Sequence, residues 1–156
     1  MYHFIVKQRM KTILEHLNRG DFDFILGQFA PTAEHWFSGQ HALSGLRRTS
    51  ELRRAWYQRL GSVFPGIQFD VQKIVVSGWP WRTYVAVEWK DRVFDTRGVE
   101  LVPNQGVFML TLSWARAVEF HVYCDTQGIA ENLNVIAGQG VAQATLPPIS
   151  EAGRAS

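Results

Sequence analysis

Residues 105–127, QGVFMLTLSWARAVEFHVYCDTQ, decide the fold class. They read as two long strands folded back on each other at Ala115-Arg116, the second carrying His121, Tyr123 and Asp125 at intervals of two. Strand side chains alternate faces, so these three polar groups share one side of the sheet. A two-residue turn sets Trp114 opposite Ala117, His121 across from Leu110 and Tyr123 across from Phe108. Directly opposed residues point to the same face. A histidine, a phenol and a carboxylate in an aromatic and aliphatic wall is the composition of a small-molecule pocket.

Upstream of this hairpin the period is also two. Residues 67–77 alternate as a strand, Gly78-Trp79-Pro80 forms a turn, and residues 82–94 make the next strand, with Val85, Val87 and Trp89 on one face. The segment from Arg97 to Gly106 is a loop. Before Gly66 the period is helical. Val6, Met10, Ile13, Leu14 and Leu17 form one stripe that Gly20 stops. Asp21 caps a short second helix bearing Phe22, Ile25, Leu26 and Phe29, closed by Pro31. Residues 33–38 form a short strand, and Ser50-Glu51 opens a third helix with Leu52, Trp56, Leu60 and Val63 inward. Helices first and antiparallel strands afterwards argue for an α+β domain over alternating βαβ units.

Composition narrows the function classes. A chain of 156 residues with 46% hydrophobic content suits one core. The net charge of +2 with scattered basic residues gives no support to nucleic-acid binding. Arg47, Arg48, Arg53, Arg54 and Arg59 cluster around the third helix, but such a run reads as a solvated face. The single cysteine, Cys124, excludes an intrachain disulfide and fits a reducing compartment. No apolar run has the length of a signal-peptide core or a membrane span, so a soluble cytoplasmic protein without a membrane partner is expected. His35 and His41 lack metal-ligand spacing, there is no Gly-rich phosphate loop, and neither a metal nor a cofactor is expected. The domain is expected to span 1–140, followed by a Pro-, Ala- and Gly-rich tail over 141–156 whose last residues should lack fixed structure.

Four segments, FSGQHALSG (37–45), FPGIQFDV (64–71), SGWPWRTYVAVEW (77–89) and NQGVFMLTLSWARAVEFHVYCDTQ (104–127), make the chain resemble the nuclear transport factor 2-like superfamily. Within it the chain is similar to the SnoaL-like, ketosteroid-isomerase-like branch, from about Lys11 to Ile149. The resemblance implies a cone: three N-terminal helices against a strongly curved antiparallel sheet, enclosing a pocket. It also implies that Val85, Val87, Trp89, Phe108, Leu110, His121 and Tyr123 line that pocket. The residues on which steroid isomerases of this kind depend are absent. Trp36 stands where the Asp base would be, Ile13 where the oxyanion-binding Tyr would be, and Phe108 where its partner Asp would be. The Arg and Asp of limonene epoxide hydrolases are missing from strand 107–114 as well. The superfamily hosts isomerases, cyclases, dehydratases and non-catalytic binders, so the site must argue the function.

His121 is the candidate proton-transfer group, because an imidazole titrates near neutrality. Tyr123 would donate to a substrate oxygen. Asp125 would either orient His121 or, as the preferred reading, cap a short helix around Ile129–Leu133. Trp56 and Tyr57 would form the pocket floor, and His41 its rim. Two readings follow. One is cofactor-independent acid–base catalysis, of isomerase, cyclase or dehydratase type, on a hydrophobic oxygen-bearing small molecule. The other is a non-catalytic small-molecule-binding or scaffold domain. Met109, Phe120, Val122 and Cys124 would present an apolar outer sheet face, through which a homodimer is expected.

Overall fold

The computed structural model describes residues 1–151; the expected loss of structure in the last residues falls at 152–156, outside the described residues. Helix α1 (Tyr2–Asn18) buries Val6, Met10, Leu14 and Leu17, the stripe that its sequence spacing sets. Asp21 caps the short α2 (Phe22–Leu26), its carboxylate accepting from the Phe24 N–H. The strand β1 (Phe29–Phe37) then leads to a short β2 (Gly45–Arg47). Thr49 caps α3 (Ser50–Val63), accepting from the Leu52 N–H and satisfying one of the first-turn donors.

Four long strands follow: β3 (Gln68–Trp79), β4 (Arg82–Arg92), β5 (Gln105–Ser113) and β6 (Arg116–Cys124). They form an antiparallel meander, and β1 adds to β6 in parallel, giving the order β2-β1-β6-β5-β4-β3. The sheet is open and curled, and the helices fill its concave side, so the architecture is the α+β cone that the sequence implies. A fourth helix, α4 (Thr126–Gly138), extends well past the expected Ile129–Leu133 turn. Among the described residues no helix is long and apolar enough to cross a membrane.

The β5–β6 hairpin departs from the sequence reading in two ways. Its turn is Trp114-Ala115, both left-handed at φ 47° and 68°, so Ser113 pairs with Arg116. The ladder then shifts: Leu112 pairs with Ala117, but Thr111 pairs with Glu119, leaving Val118 as an extra residue. The moved turn alone would have kept His121 opposite Phe108. The β-bulge supplies the odd residue that reverses every side chain beyond it. Phe120 and Val122 therefore point inward opposite Leu110 and Phe108, while His121 lies opposite Met109 on the outer face.

The segment after α4 closes the far edge of the sheet. Leu46 donates its N–H to Ser150 Oγ at 3.0 Å and accepts from the Glu151 N–H at 2.8 Å, so residues 150–151 cover the free edge of β2. Arg47 Nε and Arg59 Nη1 donate to the carbonyls of Ile149 and Pro147 at 2.9 and 2.7 Å.

Candidate functional site

The concave face of β4 is built by simple alternation. Thr83, Val85, Val87, Trp89 and Asp91 all turn inward, and each is at most 2% exposed. The last of these is a carboxylate in an apolar interior. It lines a cavity of about 30 Å³ with Trp56, Tyr57, Trp89, Phe108, Phe120, Val122 and other apolar side chains from α1, α3 and α4. A second cavity of about 130 Å³ lies between α1 and the sheet, walled by Met10, Leu14, Leu110, Leu112 and Ala117. Leu17, Tyr57, Phe108 and Phe120 border both cavities and separate them within one cone.

Asp91 spends one oxygen on structure. Its Oδ1 accepts from the Asn104 N–H at 2.6 Å, and its own N–H donates to the Asn104 carbonyl. Among the described residues no donor reaches its second oxygen. Burial pushes the carboxyl up to about 6, against the single hydrogen bond from Asn104 that favours the charged form. Beside it, the buried Trp89 indole N–H finds no acceptor among the described residues. Gly106 makes room for that indole: a Cβ there would lie 2.7 Å from Trp89 Cζ2. Tyr57 is buried with its phenol making no hydrogen bond to another described residue, and burial pushes its pKa well up, so it is a neutral donor. A buried carboxyl with a spare oxygen, an unpaired indole N–H and a neutral phenol therefore belong to three of the residues that line this cavity.

Behind Tyr57 lies a group of buried cations. Arg47, Arg53 and Arg59 are 0%, 2% and 8% exposed, so the arginine run is only partly the solvated face that its composition suggests. Their partners are neutral: backbone carbonyls throughout, with His35 Nδ1 for Arg47 and Gln143 for Arg59. Burial lowers the Arg47 guanidinium to about 9. His35, fully buried, is held neutral by burial and by the charges of Arg47 and Arg53. These groups pin α3, β1 and the 147–151 segment together, and His35 is not in either cavity wall.

The residues singled out in the sequence divide as follows. Trp56, Tyr57, Trp89 and Phe108 line the inner cavity and Leu110 the outer one; Val85 and Val87 are buried on the same face but outside both linings. His121 and Tyr123 do not reach the interior, because the bulge turns them outward. His121 Nε2 instead meets Glu34 Oε1 at 2.8 Å, and Glu34 continues to Arg48 and Arg48 to Glu151. Burial raises the Glu34 carboxyl, but the hydrogen bonds from His121 and Arg48 outweigh it and hold it below its ordinary value. Tyr123 packs its ring on Trp36 at 5.1 Å, out on the convex face. Asp125 caps α4, its carboxylate accepting from the Gly128 N–H, as preferred. His41 lies on an outside groove with Trp36 and Pro148, not at the rim of the cone, and burial takes its imidazole down to about 4. Among the described residues no group of three or more His, Cys, Asp or Glu could hold a metal ion.

Asp91 is the residue that sequence reasoning missed, and its signal was present. It follows Val85, Val87 and Trp89 at the same parity. On β6 the apolar run Val118, Phe120, Val122 and Cys124 likewise marked the parity opposite to His121 as the buried one.

A model of the SnoaL-like domain matches residues 10–120. The chain belongs to the SnoaL-like family. No curated protein sequence matches it. Solved structures of similar fold include an NTF2-like protein of unknown function from Burkholderia pseudomallei, with 18% identity over 80% of this chain and 94% of that one, at a TM-score of 0.70. TerC, crystallised with polyporic acid, is 16% identical over 80% of this chain and 94% of its own, at 0.67. PrhC from Penicillium brasilianum is 14% identical over 85% and 88%, at 0.69. At these identities the likeness is one of fold. SnoaL-like domains bind small molecules or act on them without a cofactor, and the apolar cavity between α1 and the sheet accords with that general role.

Proposed function

We propose that the cone binds a small, mainly apolar molecule bearing a carbonyl or enol oxygen, and that Asp91 exchanges a proton with it. One observation carries this reading: a buried carboxyl with an unspent oxygen in an apolar cavity wall, its pKa raised to about 6. A base serves best when its pKa lies near the working pH, and burial has moved this aspartate most of the way there. Above pH 6 the carboxylate would take a proton from carbon beside the carbonyl. Charge would then develop on the oxygen; the Trp89 N–H, which finds no acceptor among the described residues, and the Tyr57 O–H, both on residues that line the same cavity, would be the donors to meet it. Returning the proton to another carbon of the conjugated enolate gives an isomerisation; expulsion of a β-hydroxyl, which takes the proton from the Asp91 carboxyl and leaves as water, gives a dehydration. TerC, crystallised with polyporic acid, lends support to an organic ligand carrying oxygen in such a cone.

The test is turnover or ligand binding by Asp91→Asn. Asparagine keeps an oxygen to accept from the Asn104 N–H, so the fold is preserved while the titrating group is lost. A loss on the order of a hundredfold in turnover is expected, with ligand affinity little changed. Wild-type turnover by this variant would remove Asp91 from the chemistry. Binding without any turnover by the wild type would favour the non-catalytic alternative, in which the same polar groups only orient a ligand.

The outer sheet face is proposed to pair with a second copy, through only one of the residues that the sequence suggested. Met109 lies outward, whereas Phe120 and Val122 lie in the core and Cys124 shares their parity; Trp36, His121 and Tyr123 join Met109 instead, with Met109 and Tyr123 40% and 47% exposed.

A further inference from the structure

Three separate segments meet at the end of the molecule where the outer cavity opens. The β3–β4 turn carries Trp79 and Trp81, whose rings stack at 5.9 Å and 7°. The β5–β6 turn carries Trp114, whose N–H donates to the Pro80 carbonyl at 2.8 Å. The first turn of α1 is tied to the same place by His3 Nε2 on the Gly78 carbonyl at 2.8 Å and by the Tyr2 and Thr83 hydroxyls. Trp79, Trp81 and Trp114 are 66%, 57% and 70% exposed, and Phe4 and Ile5 on the first turns of α1 64% and 56%. Nothing in the core requires these side chains. An apolar surface of this kind marks an interaction site.

Its charge is one-sided. Residues 1–14, 74–87 and 101–118 contain no aspartate or glutamate, yet hold Lys7, Arg9, Lys11, Arg82 and Arg116. The nearest acid along the chain from the β5–β6 turn is Glu119, past the bulge. Tryptophans at turn tips, on segments that carry cations and no acids, match the interfacial zone of a bilayer, where indoles settle at the headgroups and basic residues meet anionic lipid. We propose that this end of the cone docks on an anionic lipid surface, with Trp79, Trp81 and Trp114 seated at the headgroups. The mouth of the outer cavity, bordered by Tyr2, Ile5, Arg9 and Ala115, then faces the membrane. An apolar ligand dissolved in the lipid would have a route inward that avoids water. The docking itself does not depend on what the cavity does.

The experiment is flotation of the full chain with vesicles of phosphatidylcholine alone and with about one-quarter phosphatidylglycerol. Binding is expected only with the anionic lipid, released by high salt and accompanied by a blue shift of tryptophan emission. Trp79→Ala with Trp81→Ala, and separately Arg82→Glu with Arg116→Glu, should each weaken partitioning about tenfold or more. These side chains are mostly exposed, so unchanged circular dichroism is expected and checks the fold. Quenching of wild-type fluorescence by brominated lipid tests the docking without any variant. Asp91→Asn and Tyr123→Ala should bind vesicles as the wild type does, which separates this result from the cavity chemistry and from the convex face. Absence of flotation at low salt would overturn the proposal. So would self-association of the protein that the tryptophan variants abolish, since the patch would then be an interface between copies.

Discussion

Asp91 stands two residues beyond Trp89 on β4, at a depth where an aspartate survives only by hydrogen bonding or by holding its proton. It does the first with Oδ1 and Asn104, and its raised pKa reflects the second. The sign of the linkage follows. Between the ordinary carboxyl value near 3.8 and the folded value near 6, the folded chain binds more protons at this site than the unfolded chain. Stability contributed by the neutral form is therefore present at low pH and lost as pH rises through that window. Two units correspond to about 2–3 kcal/mol at most. Asp91→Asn cannot ionise, so it should unfold at a higher denaturant midpoint than wild type at about pH 8 and show little gain at about pH 4. Glu34 and Asp21, whose carboxyls are held below their ordinary values, weaken both proteins alike in acid and cancel in the difference. A flat difference across the window would mean that burial does not raise the Asp91 carboxyl, and its candidacy as a base would fall with it.

At the level of elements, the helices and strands were legible because their periodicities are clean. The stripe from Val6 to Leu17, the caps at Asp21 and Asp125, and the inward run Val85, Val87, Trp89 all stand where the spacing puts them. The β5–β6 hairpin was not, and the reason is local. Turns of this shape normally use Asn-Gly, which tolerates positive φ, whereas this chain uses Trp114-Ala115. With no glycine to mark either the turn or the bulge at Val118, the sequence leaves the register open, and one unpaired residue exchanges the two faces of half a strand. The turn also stores strain that can be measured. Left-handed backbone costs an L-residue about 1–2 kcal/mol, and glycine would relieve it at Ala115 while adding about 0.4–1 kcal/mol of unfolded-state entropy. Ala115→Gly should therefore stabilise the protein by about 0.5–1 kcal/mol, read as a rise in the chemical-denaturation midpoint. A destabilised variant would show that the Ala115 methyl, which borders the outer cavity, contributes more by packing than its backbone costs.

For the molecule as a whole, the concave face of the sheet is covered by helices, and among the described residues no helix covers the convex face. That face presents the half-buried Trp36, which packs on Tyr123 and His121, and the exposed Met109 opposite His121, next to the charged line of His121, Glu34, Arg48 and Glu151. A face that mixes aromatic and ordered ionic groups suits association with a copy of itself, since a two-fold axis brings each group to its symmetry mate and requires no second specialised surface. Hydrogen bonding already neutralises Glu34 with His121 and Arg48, so burying the strip would not strand an unpaired charge there. Light scattering at micromolar concentration should therefore give the mass of a dimer. Tyr123→Glu, which places a carboxylate beside Trp36 and opposite the same group in the partner, should give the mass of a monomer with unchanged circular dichroism. Because Tyr123 stands at the end of β6 away from the Trp114-Ala115 turn, this variant should still float with anionic vesicles. A wild-type monomer, or a dimer indifferent to Tyr123→Glu, would remove the convex face as the interface.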